Sequence, residues 1–236
     1  MITYEAGKFT ERPVADQTGD CSLGNLLFYI ASTIGIAVKN GYSFGFPEWN
    51  NSKFFVNPLP EVENKEFTKR VDVGWGFNGF DIPDDVSLLG YMQSEKYFEH
   101  CKDIVRHFLT MKDLIEPIKD TILIHYRNCI DEGTLIYPAT REYYLKSLTF
   151  LPKKEVVVVT DNIEKARQVI GLDCRYISDT PIMDFYLLSH ADYLVMSPSS
   201  FSWWASWLSE AITVAPARWF ATLDEKDLYC KNWITW

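Results

Sequence analysis

From Thr121 to Ala215 the chain repeats one pattern: a short, almost wholly apolar run, a polar or Gly/Pro-containing break, and then a longer amphipathic segment. Short apolar runs bounded by turn residues indicate buried strands, and apolar residues at a 3.6-residue period indicate helices. On this basis Thr121–His125, Glu155–Thr160, Cys174–Ser178, Tyr193–Met196 and Ile212–Ala215 are predicted strands. Arg141–Leu151, Asn162–Ile170, Ile182–His190 and the Ser/Trp segment opening at Ser199 are predicted helices. Strands separated by single helices imply a parallel sheet with right-handed crossovers. The expectation is a Rossmann-like half over roughly 119–220.

The preceding half is less regular. Leu26–Asn40 reads as an amphipathic helix ending at Gly41, a left-handed C-cap, before the extended stretch Tyr42–Phe46. Residues 47–86 mix Pro, Gly, Asn and aromatics without a steady period and predict irregular surface structure or a lid. Val86–Tyr91 restores a strand and Ser94–Leu109 a helix. The predicted fold class is therefore α/β, in two domains, 1–118 and 119–236, with the first more irregular and holding the smaller share of regular structure.

The 236 residues are 47% hydrophobic and 15% aromatic, enough for a packed core in one large or two small domains. A net charge of −9 argues against a general nucleic-acid or membrane-surface binder, since either needs a basic field. An anionic ligand must therefore meet a local exception. Met1–Lys8 lacks a basic start followed by an apolar segment, and no run approaches the ~20 apolar residues of a spanning helix. A soluble, cytoplasmic chain is expected. The five cysteines are scattered without C-x-x-C spacing, so neither a disulfide framework nor a zinc knuckle is indicated. Phosphate-loop, G-x-G-x-x-G, G-x-S-x-G and H-E-x-x-H patterns are absent, as is an Asp-x-Asp pair, and no metal site is expected.

Candidate chemistry gathers at the ends of the predicted strands. In Ser199-Ser200-Phe201-Ser202-Trp203-Trp204-Ala205-Ser206-Trp207-Leu208, Trp203 and Trp207 stand at i, i+4, as do Trp204 and Leu208, which marks an apolar face buried in a core. The serines exceed what one cap needs. Ser199 or Ser200 could cap the helix and contact a ligand oxygen, because a helix start offers unpaired N–H groups and partial positive charge to a phosphate. His125-Tyr126-Arg127 ends the first strand of the second half, the edge at which open α/β sheets bind ligands. Arg127 has the planar fork of donors that suits phosphate, or makes a structural ion pair; His125 is a ligand contact or a satisfied core histidine. Asp161, at the end of the next strand, could accept from the ring N–H and amino group of guanine, cap the helix that begins at Asn162, or both. Asp184, early in its helix, is explained by the helix dipole.

Four segments in order resemble the α-1,2-fucosyltransferases and, more distantly, the α-1,6- and protein O-fucosyltransferases. Ser22-Leu23-Gly24-Asn25-Leu26-Leu27-Phe28 is similar to G-x-L-G-N-Q-x-F, and Gly90-Tyr91-Met92-Gln93-Ser94-Glu95-Lys96-Tyr97-Phe98 to G-Y-x-Q-S-E-K-Y-F. His125-Tyr126-Arg127 resembles the start of His-x-Arg-Arg-Gly-Asp, and Ser199–Leu208 resembles S-S-F-S-W-W-x-x-W-L. The resemblance implies two Rossmann-like domains of the glycosyltransferase B type, the first on the acceptor side. It implies metal-independent transfer of fucose from GDP-fucose to a sugar hydroxyl of a glycan, with inversion and an α-1,2 linkage. By the same resemblance Arg127 holds the pyrophosphate and is the catalytic group, His125 and Asp161 hold guanosine, and Ser199, Ser200 and Phe201 hold the phosphate and fucose edge. Gly24 and Asn25 would face them from the first domain.

The chain departs from that pattern. After Arg127 it reads Asn128-Cys129-Ile130-Asp131, without the second Arg and the Gly-Asp, and Leu26 stands where the family has Gln. Asp20 and Asp131 are unassigned candidates for a general base, placed only by lying beside matched motifs. A catalytically idle GDP-sugar or glycan-binding module, or a transferase using another sugar nucleotide, remains as an alternative.

Overall fold

The computed structural model describes residues 1–4, 23–62, 66–128 and 136–236. The chain packs as two units, Met1–Lys112 with Lys226–Leu228, and Asp113–Glu225 with Tyr229–Trp236. Both are mixed α/β with parallel sheets.

In the first unit, β1 (Thr3–Tyr4), β2 (Arg70–Asp72) and β3 (Ser87–Leu89) form a three-stranded parallel sheet in the order β1-β3-β2. The helix α1 (Leu23–Asn40) begins three residues earlier than its periodicity predicts and is buried along most of its length. Gly41 ends it at φ +71°, the left-handed cap expected of that glycine. Gly35 serves packing: a Cβ there would sit 1.9 Å from the Tyr97 carbonyl oxygen, so only glycine lets α1 approach the turn at 95–98.

The continuous helix expected over Ser94–Leu109 is a correction. Two 3-10 turns, Glu95–Tyr97 and Glu99–Cys101, precede α2 (Lys102–Phe108). Phe98 and Cys101 adopt φ near −134° and −133°, outside the helical region, and each interrupts the ladder. Ser94 caps the first turn by accepting from the Lys96 N–H at 3.3 Å.

The second unit follows the predicted alternation closely. Its elements are β4 (Thr121–Tyr126), α3 (Arg141–Ser147), β5 (Glu155–Thr160), α4 (Ile163–Ile170), β6 (Arg175–Ile177), α5 (Pro181–Ser189), β7 (Tyr193–Val195), α6 (Ser200–Ser209), β8 (Ile212–Ala215) and β9 (Ile234–Thr235). All six strands are parallel, in the order β6-β5-β4-β7-β8-β9. Counted within the unit this is 3-2-1-4-5-6, the order of a doubly wound Rossmann-like sheet, whose switch point lies between β4 and β7. The sixth strand, β9, lies beyond the predicted 119–220 half and is two residues long, too short to show a period.

The sheet's two faces have different cores. Ile122, Ile124 and Tyr126 of β4 join Tyr143 and Tyr144 of α3 and Ala166 and Ile170 of α4 on one side. The Tyr143 hydroxyl lies 2.7 Å from the Met196 carbonyl and 3.0 Å from that of Val214, tying α3 to the ends of β7 and β8. On the other side α5 and α6 pack together, with Phe185, Trp203 and Trp204 fully buried. Among the described residues no helix is long and apolar enough to cross a membrane.

Candidate functional site

Successive residues of a strand point to opposite faces, so His125 leaves Tyr126 in the α3/α4 core and turns toward α6. Its imidazole is 4% exposed. Nδ1 lies 2.9 Å from Ser197 Oγ, just past β7, and 2.5 Å from Ser202 Oγ in the first turn of α6. Ser202 also donates to the Ser197 carbonyl at 3.2 Å. The Phe201 ring stacks on the imidazole at 5.3 Å and 30°, and Phe185 meets Phe201 edge-on at 5.1 Å. Burial first, and then the Arg127 charge, push the histidine down to about 3. The imidazole is neutral at physiological pH.

Beyond the strand the chemistry becomes more open. Arg127 Nη1 lies 3.0 Å from Asp161 Oδ2, both side chains about one-third exposed, while Asp161 Oδ1 accepts from the Asn128 N–H at 2.9 Å. The helix-capping role allowed for Asp161 falls to its neighbour. Asn162 Oδ1 accepts from the Lys165 N–H at 3.0 Å, and Asp161 stays at the edge.

Asp184 of α5 is a group whose burial sequence reasoning missed. It is 7% exposed, and burial, with the charges of Asp179 and Asp161 adding, pushes its carboxyl up to about 7 against one opposing hydrogen bond. That bond comes from the Asp179 N–H at 3.2 Å. Asp184 stands in the first turn of α5, as expected; a first-turn acid can be exposed or, like this one, buried within electrostatic reach of Asp161. No local signal distinguishes the two, because burial is decided by packing across the sheet.

The third contribution is the start of α6. Ser199 is its N-cap and accepts from the Phe201 N–H at 3.3 Å; Ser199, Ser200 and Phe201 are all half-buried. Trp203, Trp204 and Trp207 are buried, at 0%, 0% and 8% exposed, and form the core predicted for them. Ser197 and Ser202, missed as site residues, share the turn and helix that the serine-rich motif had marked.

Six of the residues singled out in the sequence, His125, Arg127, Asp161, Ser199, Ser200 and Phe201, therefore stand at the carboxyl ends of β4, β5 and β7. That edge offers a guanidinium, a helix N-terminus, a carboxylate and a buried imidazole around the switch point, groups that can complement the charge and donors of an anionic ligand. Gly24 and Asn25 lie in the first unit, in the first turn of α1. There the Gln93 amide, 3% exposed, donates from Nε2 to Asn25 Oδ1 at 2.8 Å and fixes that side chain. Asp20 and Asp131 lie outside the described residues.

The model of glycosyl transferase family 11 matches residues 53–236, most of the chain and all of the second unit's sheet. The chain belongs to this α-1,2-fucosyltransferase family. It is similar to an α-1,2-colitosyltransferase of Escherichia coli, 27% identical over 200 residues that cover 70% of this chain and 67% of the relative. It is also similar to the O-antigen biosynthesis glycosyltransferase WbnK of Escherichia coli, 24% identical over 244 residues covering 88% and 72%. Membership makes the chain a fucosyltransferase-like glycosyltransferase.

Proposed function

We propose that this family 11 glycosyltransferase transfers L-fucose from GDP-fucose to a hydroxyl of a glycan, with inversion, through an α-1,2 linkage and without a metal. The observation that carries the reading is the convergence of His125, the Arg127–Asp161 pair and the start of α6 at one switch point. Arg127 takes the pyrophosphate, joined by the Ser199 and Ser200 helix start. Asp161 and His125 take guanosine, and Phe201 borders the fucose. The two units act as the two Rossmann-like domains of a B-type glycosyltransferase, and Gly24 and Asn25 belong to the first.

In the reaction the acceptor oxygen bonds to the anomeric carbon on the face opposite GDP. The bond to the β-phosphate oxygen breaks, GDP leaves with the electron pair, and the acceptor proton passes to a base. Charge builds on the leaving diphosphate as the sugar becomes oxocarbenium-like, so Arg127 and the helix start stabilise the transition state more than the ground state. Release of GDP from GDP-fucose that depends on a galactoside or other glycan acceptor supports the assignment. GDP binding with no release across an acceptor panel would make the chain an idle sugar-nucleotide module.

A second reading, transfer of colitose from its GDP-sugar, is favoured by the similarity to the α-1,2-colitosyltransferase. Competition between GDP-fucose and GDP-colitose in the same release assay separates the two.

A further inference from the structure

We propose that Ser202 and Ser197 hold the His125 imidazole in the tautomer with its proton on Nδ1, so that Nε2 is a hydrogen-bond acceptor selecting an N–H or O–H group of the bound nucleotide. The tautomer rests on geometry; the identity of the ligand rests on the donor-site reading above.

Four contacts set the problem. Nδ1 lies 2.5 Å from Ser202 Oγ and 2.9 Å from Ser197 Oγ, the two hydroxyls are 3.3 Å apart, and Ser202 Oγ is 3.2 Å from the Ser197 carbonyl oxygen. A carbonyl only accepts, so the last contact uses the single proton of Ser202. Ser202 then turns lone pairs toward Nδ1, and with its own proton committed to the carbonyl the hydrogen of this contact comes from the nitrogen. Ser197 Oγ, on the same side, accepts a share of it and gives its own hydrogen to Ser202 Oγ. All four contacts are then made with correct donors and acceptors.

The opposite tautomer cannot serve them together. A bare Nδ1 must take the Ser202 proton, which deserts the buried Ser197 carbonyl, or it must face a Ser202 lone pair across the shortest contact of the cluster. The first leaves a buried carbonyl without its donor and the second sets two lone pairs against each other, among residues 0–4% exposed. The surroundings also keep the ring neutral, because burial and the adjacent Arg127 both oppose a second proton. One proton on Nδ1 therefore means a lone pair on Nε2, which has no hydrogen-bond partner among the described residues. Phe201, stacked on the ring, restricts its rotation.

Ser202 is thus a positioning residue: it acts on the nucleotide through His125. In the family signature it stands in the middle of S-S-F-S-W-W, where the flanking serine and tryptophans already have roles as cap and core.

Long-range proton–nitrogen NMR of the full chain labelled at its histidine ring nitrogens reads the tautomer directly, with His125 assigned by the signals lost in His125→Gln. The expected spectrum has Nδ1 protonated and Nε2 bare, and protonated Nε2 in the parent protein overturns the proposal. In Ser202→Ala both tautomers should appear, GDP affinity should fall about 3- to 10-fold, and Ser202→Thr, which keeps the hydroxyl, should restore both readings. A Ser202→Ala spectrum identical to the parent's overturns the role of Ser202. Added GDP should shift the Nε2 signal. GDP that binds without shifting it overturns the selecting role, and GDP that fails to bind overturns the donor-site reading and the selection with it, while the spectrum of the free protein still decides the tautomer.

Discussion

The two polar groups that end β4 are held in opposite ways. His125 is sealed among Ser197, Ser202 and Phe201 and has one hydrogen-bonding arrangement that satisfies every contact. Two residues on, Arg127 and Asp161 meet with about one-third of each side chain in water. An exposed ion pair of this kind contributes about 0–1 kcal/mol, because water and salt screen it and ordering two side chains offsets the gain. The buried cluster is therefore preformed and costly to disturb, whereas the pair is cheap to rearrange. The proposed donor site would use both properties: a rigid acceptor for recognition, and a guanidinium that a phosphate can draw from its carboxylate.

The contrast breaks most visibly where the buried side is damaged. The double variant Ser197→Ala with Ser202→Ala strips a buried imidazole and the Ser197 carbonyl of their hydroxyl partners and should lose roughly 2–4 kcal/mol of stability in urea unfolding. A loss below about 0.5 kcal/mol would mean that the cluster is not the rigid half of the pair.

Asp184 sharpens the picture through pH. Its folded pKa is raised from 3.8 to about 7, so its contribution to stability is fully present below about pH 4 and is lost as pH rises toward 7 and above. His125 runs the other way: lowered from 6.5 to about 3, it contributes above pH 6.5 and loses that contribution as pH falls toward 3. Between pH 4 and 6.5 the two slopes oppose each other. Asp184→Asn, which stays neutral and can still accept the Asp179 N–H, should match the parent near pH 4 and exceed it by roughly 2–4 kcal/mol at pH 8. Parallel stability curves for the two proteins would show that the acid is not held neutral by burial.

On the open side, Arg127→Ala should reduce GDP affinity about 10- to 100-fold in calorimetry, the range of a lost charge-assisted hydrogen-bonded contact, while stability changes by less than about 1 kcal/mol. An unchanged affinity removes Arg127 from the pyrophosphate. The smallest effect belongs to Asp161→Asn in the protein without ligand: a shift within about 0.5 kcal/mol that shrinks further as salt is added. A larger loss would make the pair structural rather than exchangeable.

Much of the second unit was legible because its strands are buried on both faces and read as unbroken apolar runs. Glu155–Thr160 and Ile212–Ala215 match the structure residue for residue. The tryptophans of α6 were legible for the same reason, since their i, i+4 spacing has one buried solution. Ser94–Leu109 was not, because helical periodicity continues through Phe98 and Cys101 although the backbone there leaves the helix. Nor were β9, with two residues, or β2, with three, whose pairing is decided by neighbours distant in sequence. At the site, Arg127 and Asp161 could be placed at one edge from strand ends alone. That they meet each other and that Asp184 is buried depend on the order of β4, β5 and β6 and the helices laid across them, whereas the choice of Asn162 over Asp161 as cap is local. The serines showed an excess of hydroxyls over caps, but their division between Ser199 as cap and Ser202 as partner of His125 is tertiary information.

The most direct test of the β4/β7 edge as the donor site is calorimetric titration of the full chain with GDP, UDP and ADP under one buffer and salt condition. The account predicts that GDP binds most tightly. Equal or tighter binding of UDP or ADP, or no binding of GDP, would contradict it.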